Sequence, residues 1–129
     1  MKKSEIYSEI IDKVCDICEV RRESMINGVR FESVVDARVL AIQAMRRVGL
    51  TNEDIALYFY REKQGDNLAV LSRNELKSKA RGIQKSYVSY TQRCDTRGIA
   101  FCQLSIDVMW WLHKRFGVNF YGQPPESEN

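Results

Sequence analysis

The sequence predicts an all-α domain, and three observations carry that prediction. Apolar residues recur at spacings of three and four along most of the chain, as they do on one side of a helix. No useful length alternates polar and apolar with a period of two. The two prolines stand together at Pro124 and Pro125, so nothing before them interrupts helical hydrogen bonding.

The first helix is expected from Ser4, as its cap, to about Glu19, with Ile6, Ile10, Val14 and Ile17 on one side and Ile11 and Cys18 beside them. A short turn of helix follows from Arg22 to Ile26 and stops at Asn27-Gly28. The third helix runs from about Glu32 to Val48, where Gly49 ends it. Val34, Val35, Ala41, Ile42, Met45 and Val48 share its apolar side. Thr51, with Asp54 three residues on, caps a fourth helix that reaches about Tyr60. Gln64-Gly65-Asp66-Asn67 reads as a turn, and Asp66 or Asn67 then caps a long fifth helix to about Tyr90. A loop is expected around Cys94 to Gly98, and a last helix from near Gln103 to Phe116, closed by Gly117.

On the fifth helix two stripes separate. Leu68, Leu71, Leu76, Ala80, Ile83, Tyr87 and Tyr90 fall on one broad side, whereas Arg73, Lys77, Arg81 and Lys85 wind over the other. Such a basic row serves either as a solvated face or as a surface for a polyanion. Arg38 breaks the apolar stripe of the third helix. A guanidinium there is costly to bury alone, so either an internal acid neutralises it or it lies at the rim of the core facing an external anion.

The chain has 129 residues, enough for one domain with a real core. No stretch approaches eighteen consecutive apolar residues, and acids interrupt the first helix, so neither a membrane span nor an export signal is expected. A cytoplasmic location with reduced cysteines follows as the default. The net charge of +3 is unevenly spread: residues 21–97 carry fifteen Lys/Arg against nine acids, and residues 73–97 seven against two. That concentration favours a polyanionic partner over a small acidic substrate.

The fourth helix, the turn and the fifth helix form a helix-turn-helix candidate, with Leu50, Ile55, Ala56 and Phe59 on the first arm. The wider pattern is more specific. Val14 to Val20 is followed by Glu23-Ser24-Met25-Ile26-Asn27-Gly28, then Arg30, then Val34, Arg38 and Ala41, and then Leu50-Thr51-Asn52-Glu53-Asp54-Ile55-Ala56-Leu57-Tyr58-Phe59. In this order and spacing the stretch from about Ile6 to Leu76 resembles the C-terminal duplex-DNA-binding domain of the bacterial replication initiator DnaA, a Trp-repressor-like helix-turn-helix. The family's Arg-Asp-His-Thr-Thr-Val at the recognition helix is answered by Gly65-Asp66-Asn67-Leu68-Ala69-Val70, after about two inserted residues, with Asp66 and Val70 matching by type. Gly28 stands where the family has Lys. No Gly-rich phosphate loop ending in Lys-Ser/Thr is present, so the initiator's ATPase domain is not expected.

The family domain does not include the C-terminal segment, whose own composition predicts a helical extension over 93–120 packed on the bundle and a disordered tail over 121–129. The resemblance itself implies a Trp-repressor-like bundle over 1–92. It implies duplex DNA as partner, in transcription regulation, replication or a mobile-element function, with neither catalysis, cofactor, small-molecule substrate nor membrane. Arg30 and Arg38 are the contacts carried over, with Gln64, Asp66 and Asn67 at the groove and Arg61, Lys63 and Arg73 on phosphates. The alternative is a helical protein-interaction module on the same scaffold that has lost DNA binding.

Other residues point less clearly to chemistry. Cys15-x-x-Cys18 lies mid-helix and Cys94 and Cys102 have seven residues between them, so small buried hydrophobes are favoured over a four-thiolate zinc site. His113 has no nucleophile at suggestive spacing, and Asp12, Asp16, Asp36, Asp54 and Asp107 are scattered as on solvated faces. Trp110, Trp111 and Phe116 in the extension require burial, either against the bundle or in an interface such as a homodimer's.

Overall fold

A computed structural model describes residues 1–65 and 70–125. Among them lie seven helices and no strand: α1 Lys3–Cys18, α2 Arg22–Ile26, α3 Glu32–Arg47, α4 Asn52–Gln64, α5 Arg73–Val88, α6 Tyr90–Arg97 and α7 Ile99–Phe116. The chain is all-α.

α3 is the central helix because small or apolar residues cover most of its circumference, outside one arc of Glu32, Asp36, Gln43, Arg46 and Arg47. Ala37, Val39, Leu40, Ala41, Ile42, Ala44 and Met45 are all buried. A helix without a polar half is stable only when others surround it, and α1, α2, α4, α5, α6 and α7 all pack against it. α1 contributes Tyr7, Ile10, Ile11 and Val14 to the core, and α7 contributes Phe101, Val108 and Leu112. The extension is therefore part of the bundle. Its inward face is the row Phe101, Ser105, Val108 and Leu112, while Trp110, Trp111 and Phe116, the residues expected to drive its docking, are only half-buried.

Several boundaries differ from expectation. Lys2, not Ser4, occupies the cap position of α1. α4 continues to Gln64, one turn beyond Tyr60. α5 begins at Arg73, where Ser72 accepts from the Glu75 backbone N–H and the Glu75 carboxylate accepts from that of Ser72, closing a capping box. Asp66 and Asn67, expected to cap this helix, lie outside the described residues. The loop expected around Cys94 to Gly98 is instead helix α6, and α7 starts at Ile99 rather than Gln103. The long fifth helix thus breaks at Ser89, whose hydroxyl donates back to the Ser86 carbonyl at 2.7 Å. Such back-bonding competes with regular helical pairing.

Asp36 is also corrected. It is not on a solvated face but buried, and α6 brings two arginines to it. Arg93 donates to its Oδ1 from Nε and Nη2 at 3.0 and 2.8 Å, and Arg97 Nε reaches Oδ2 at 3.1 Å. Glu32, one turn before Asp36 on α3, takes a further bond from Arg93 Nη2 at 2.8 Å.

Candidate nucleic-acid interface

α5 is the least buried long helix of the bundle: none of its residues is fully buried. Leu76, Ala80, Ile83 and Tyr87 are half-buried and turn inward onto α4 and α3, as their spacing requires. Arg73, Lys77, Arg81 and Lys85 are all exposed. None of these four forms an ion pair among the described residues. The helix carries five Lys/Arg against one acid, and that acid, Glu75, is committed to the cap.

A cleft opens along each long side of α5. On one side, a cleft of about 820 Å³ lies between α5 and the start of α4, with Arg46, Lys77 and Arg81 around it and Glu53 as its acid among the described residues. Arg46 is held in place there. Its Nη1 donates to Asn52 Oδ1 at 2.6 Å and Gln84 Oε1 at 3.1 Å, and its guanidinium lies 4.3 Å from the centre of the Tyr87 ring.

On the other side, a groove of about 330 Å³ is framed by α2, α3, α4 and α5. Arg38, Lys63 and Lys79 bring three cations to it, and no carboxylate lines it among the described residues. Lys79 also lies 5.4 Å from the centre of the Tyr60 ring.

Arg38 resolves the ambiguity of its sequence position. No acid pairs with it among the described residues. It is half-buried at the edge of the core, and its Nε and Nη2 both donate to the Met25 carbonyl, at 3.3 and 2.9 Å. Burial and the neighbouring Arg30 guanidinium together hold its pKa below the ordinary arginine value. A cation that is partly dehydrated, beside a like charge and without a counter-ion, is disposed to take an anion. The contrast with Arg22 is direct, since Asp12 and Glu62 both neutralise that guanidinium.

Of the residues expected to bind DNA, the structure brings Arg38, Lys63 and Gln64 into this groove, with Arg30 exposed nearby. Arg61 is exposed on α4 and Arg73 opens α5; neither lines it. Gln64 ends α4 rather than standing at the start of α5, and Asp66 and Asn67 fall outside the described residues. Sequence reasoning missed Lys79, which sits off the four-residue row of basic residues, and Arg46, whose role depends on its partners in α4 and α5. It also missed Asn74 and Ser78, whose spacing sets them on the outward side of α5 beside Arg81 and Lys85.

The four cysteines are free thiols, and no three metal-binding side chains come together among the described residues. His113 Nδ1 lies 2.7 Å from the Val118 carbonyl, tying the end of α7 to the segment beyond it. No protein-family model matches the chain, and neither a curated protein nor a solved structure shows significant similarity to it.

Proposed function

We propose that this chain is a non-catalytic duplex-DNA-binding domain, with α4 and α5 as a Trp-repressor-like helix-turn-helix and α5 as the helix that enters the major groove. The observation that carries this reading is the position of α5, which projects a basic row without an ion pair among the described residues and is flanked on both long sides by cationic clefts. An α-helix with its side chains is about 10–12 Å across and the major groove about 12 Å wide. A helix seated there has a phosphate backbone on either side. Arg38, Lys63 and Lys79 would then meet one strand, and Arg46, Lys77 and Arg81 the other.

Asn74 and Ser78 face outward and are short polar side chains suited to base edges, whereas the clefts supply charge that positions the duplex. The spacing of Arg30, Arg38 and Ala41 that resembles the DnaA C-terminal domain supports the same assignment. The test is fluorescence anisotropy with a random-sequence duplex across a range of salt. Affinity should fall with a log–log slope of about −0.9 per phosphate contact, and Lys77→Ala/Arg81→Ala should flatten that slope by about two contacts. Equal affinity and slope in the double variant would overturn the placement of α5.

A further inference from the structure

The groove that holds Arg38 has a feature that phosphate binding leaves unused. Its floor is apolar: Met25 and Ile42 are fully buried beneath it, and Phe59 and Ile83 are half-buried along it. Its rim carries Arg38, Lys63 and Lys79 with no carboxylate among the described residues. At about 330 Å³ it sits at the small end of the range for ligand sites, which combine an apolar lining with a few placed polar groups. A phosphate diester would satisfy the rim and leave the floor in water.

We infer that this groove is a binding site for a small organic monocarboxylate with an apolar body. The carboxylate accepts from Arg38 at the rim, and the body covers Ile42, Phe59 and Ile83. Charge selects the head group. Two Arg38 nitrogens are committed to the Met25 carbonyl, which fixes the guanidinium plane, and Nη1 has no hydrogen-bond partner among the described residues. A fixed, half-dehydrated guanidinium recognises a carboxylate more strongly than a mobile surface lysine does. The apolar floor selects the body, because covering it removes hydrocarbon from water. The groove shares Arg38, Lys63 and Lys79 with the phosphate-contacting role proposed above, but its test contains no DNA, so failure of the one is distinguishable from failure of the other.

The experiment is calorimetric titration of the full chain, without DNA, using octanoate. Acetate, inorganic phosphate and octan-1-ol are the comparisons. Two variants accompany the wild type. Arg38→Met removes the charge, and Gly82→Phe fills the groove. A Cβ at Gly82 meets nothing within 4 Å, and Gly82 does not need a positive φ, so the substitution starts without clash or backbone strain; circular dichroism of both variants checks that each is folded.

Saturable one-site binding of octanoate is expected, with acetate, phosphate and octan-1-ol each weaker by at least about tenfold. Both variants should lose about tenfold or more in octanoate affinity. Four results would each overturn the inference: no saturable binding up to about 5 mM; acetate or phosphate equal to octanoate, meaning a bare anion site; octan-1-ol equal to octanoate, meaning an unselective apolar patch; and unchanged octanoate affinity in Gly82→Phe.

Discussion

Arg93 on α6 clamps Asp36 on α3 through two nitrogens on one carboxylate oxygen, across 57 residues of chain. Asp36 is only 4% exposed, so its charge depends on that clamp and on Arg97. Asp36→Ala should destabilise the fold by about 1.5–3 kcal/mol, the range for hydrogen bonds to a charged group. Arg97→Ala should cost less, because Arg97 is more exposed than Arg93. Urea unfolding measures both. A loss below about 0.5 kcal/mol for Asp36→Ala, the scatter of ordinary surface substitutions, would show that α6 is not held by this pair.

The two faces of α7 should respond differently to truncation. Leu112 is fully buried, so Leu112→Ala should cost about 2–5 kcal/mol through lost burial and the cavity left behind. Ile106 is 40% exposed, and Ile106→Ala should fall within about 1 kcal/mol. Equal costs in thermal unfolding would mean that the helix is rotated from the orientation described.

Asp54 gives a pH signature. Its burial raises the pKa, but the Thr51 N–H, the Lys3 ammonium and the Thr51 hydroxyl outweigh it, and the carboxyl titrates below its usual value. A depressed folded-state pKa means stability that is present above the unfolded pKa, about 3.9, and lost as pH falls through the folded value. Asp54→Ala should therefore cost about 0.5–2 kcal/mol at pH 7, typical of a lost cap. The difference from wild type should shrink steadily below pH 4. A pH-independent difference in denaturant midpoint would remove the capping carboxylate from the account.

The cysteines should separate by reactivity. Burial pushes the Cys15 thiol up to about 11 and Cys18 up to about 12. Only the thiolate is the nucleophile, and burial leaves very little of it at pH 8. In the native protein these two should react with an aromatic disulfide reagent far more slowly than in denaturant. Rapid labelling of Cys15 without denaturant, located by mass spectrometry, would contradict the packing of α1 on α3.

On the proposed DNA surface, Lys79→Ala should weaken all duplexes alike and flatten the salt dependence by about one contact. Asn74→Ala should mainly change preference among sequences. Sequence selection with each variant distinguishes them. Identical selected motifs for wild type and Asn74→Ala would exclude Asn74 from base reading.

Which features were legible in the sequence depended on distance along the chain. The inward and outward stripes of α5 follow from helical spacing alone, and so does the placement of Arg38 at an apolar face. The start of α5 was also written locally, in Ser72-Arg73-Asn74-Glu75, but the apolar spacing of Leu68 and Leu71 with Leu76 drew the helix too far back. The second half of α6, from Cys94 on, reads as a loop in the sequence because its few apolar residues mark out no long stripe. The arginines of α6 pair with Asp36, far away in sequence. The grooves were beyond sequence reading for the same reason: Lys79 and Arg38, or Arg46 and Gln84, meet only once α3, α4 and α5 pack.

That α5 buries no residue fully has a consequence for time as well as for shape. Helices with few buried apolar contacts open at a fraction of the global unfolding free energy, while core helices open only with the whole molecule. Amide protons of α5 should thus exchange well before those of α3, even though the two helices touch. A surface that loosens while the framework beneath it stays closed can adjust to its partner without unfolding the domain, and any ligand on that surface should slow the exchange of α5 first.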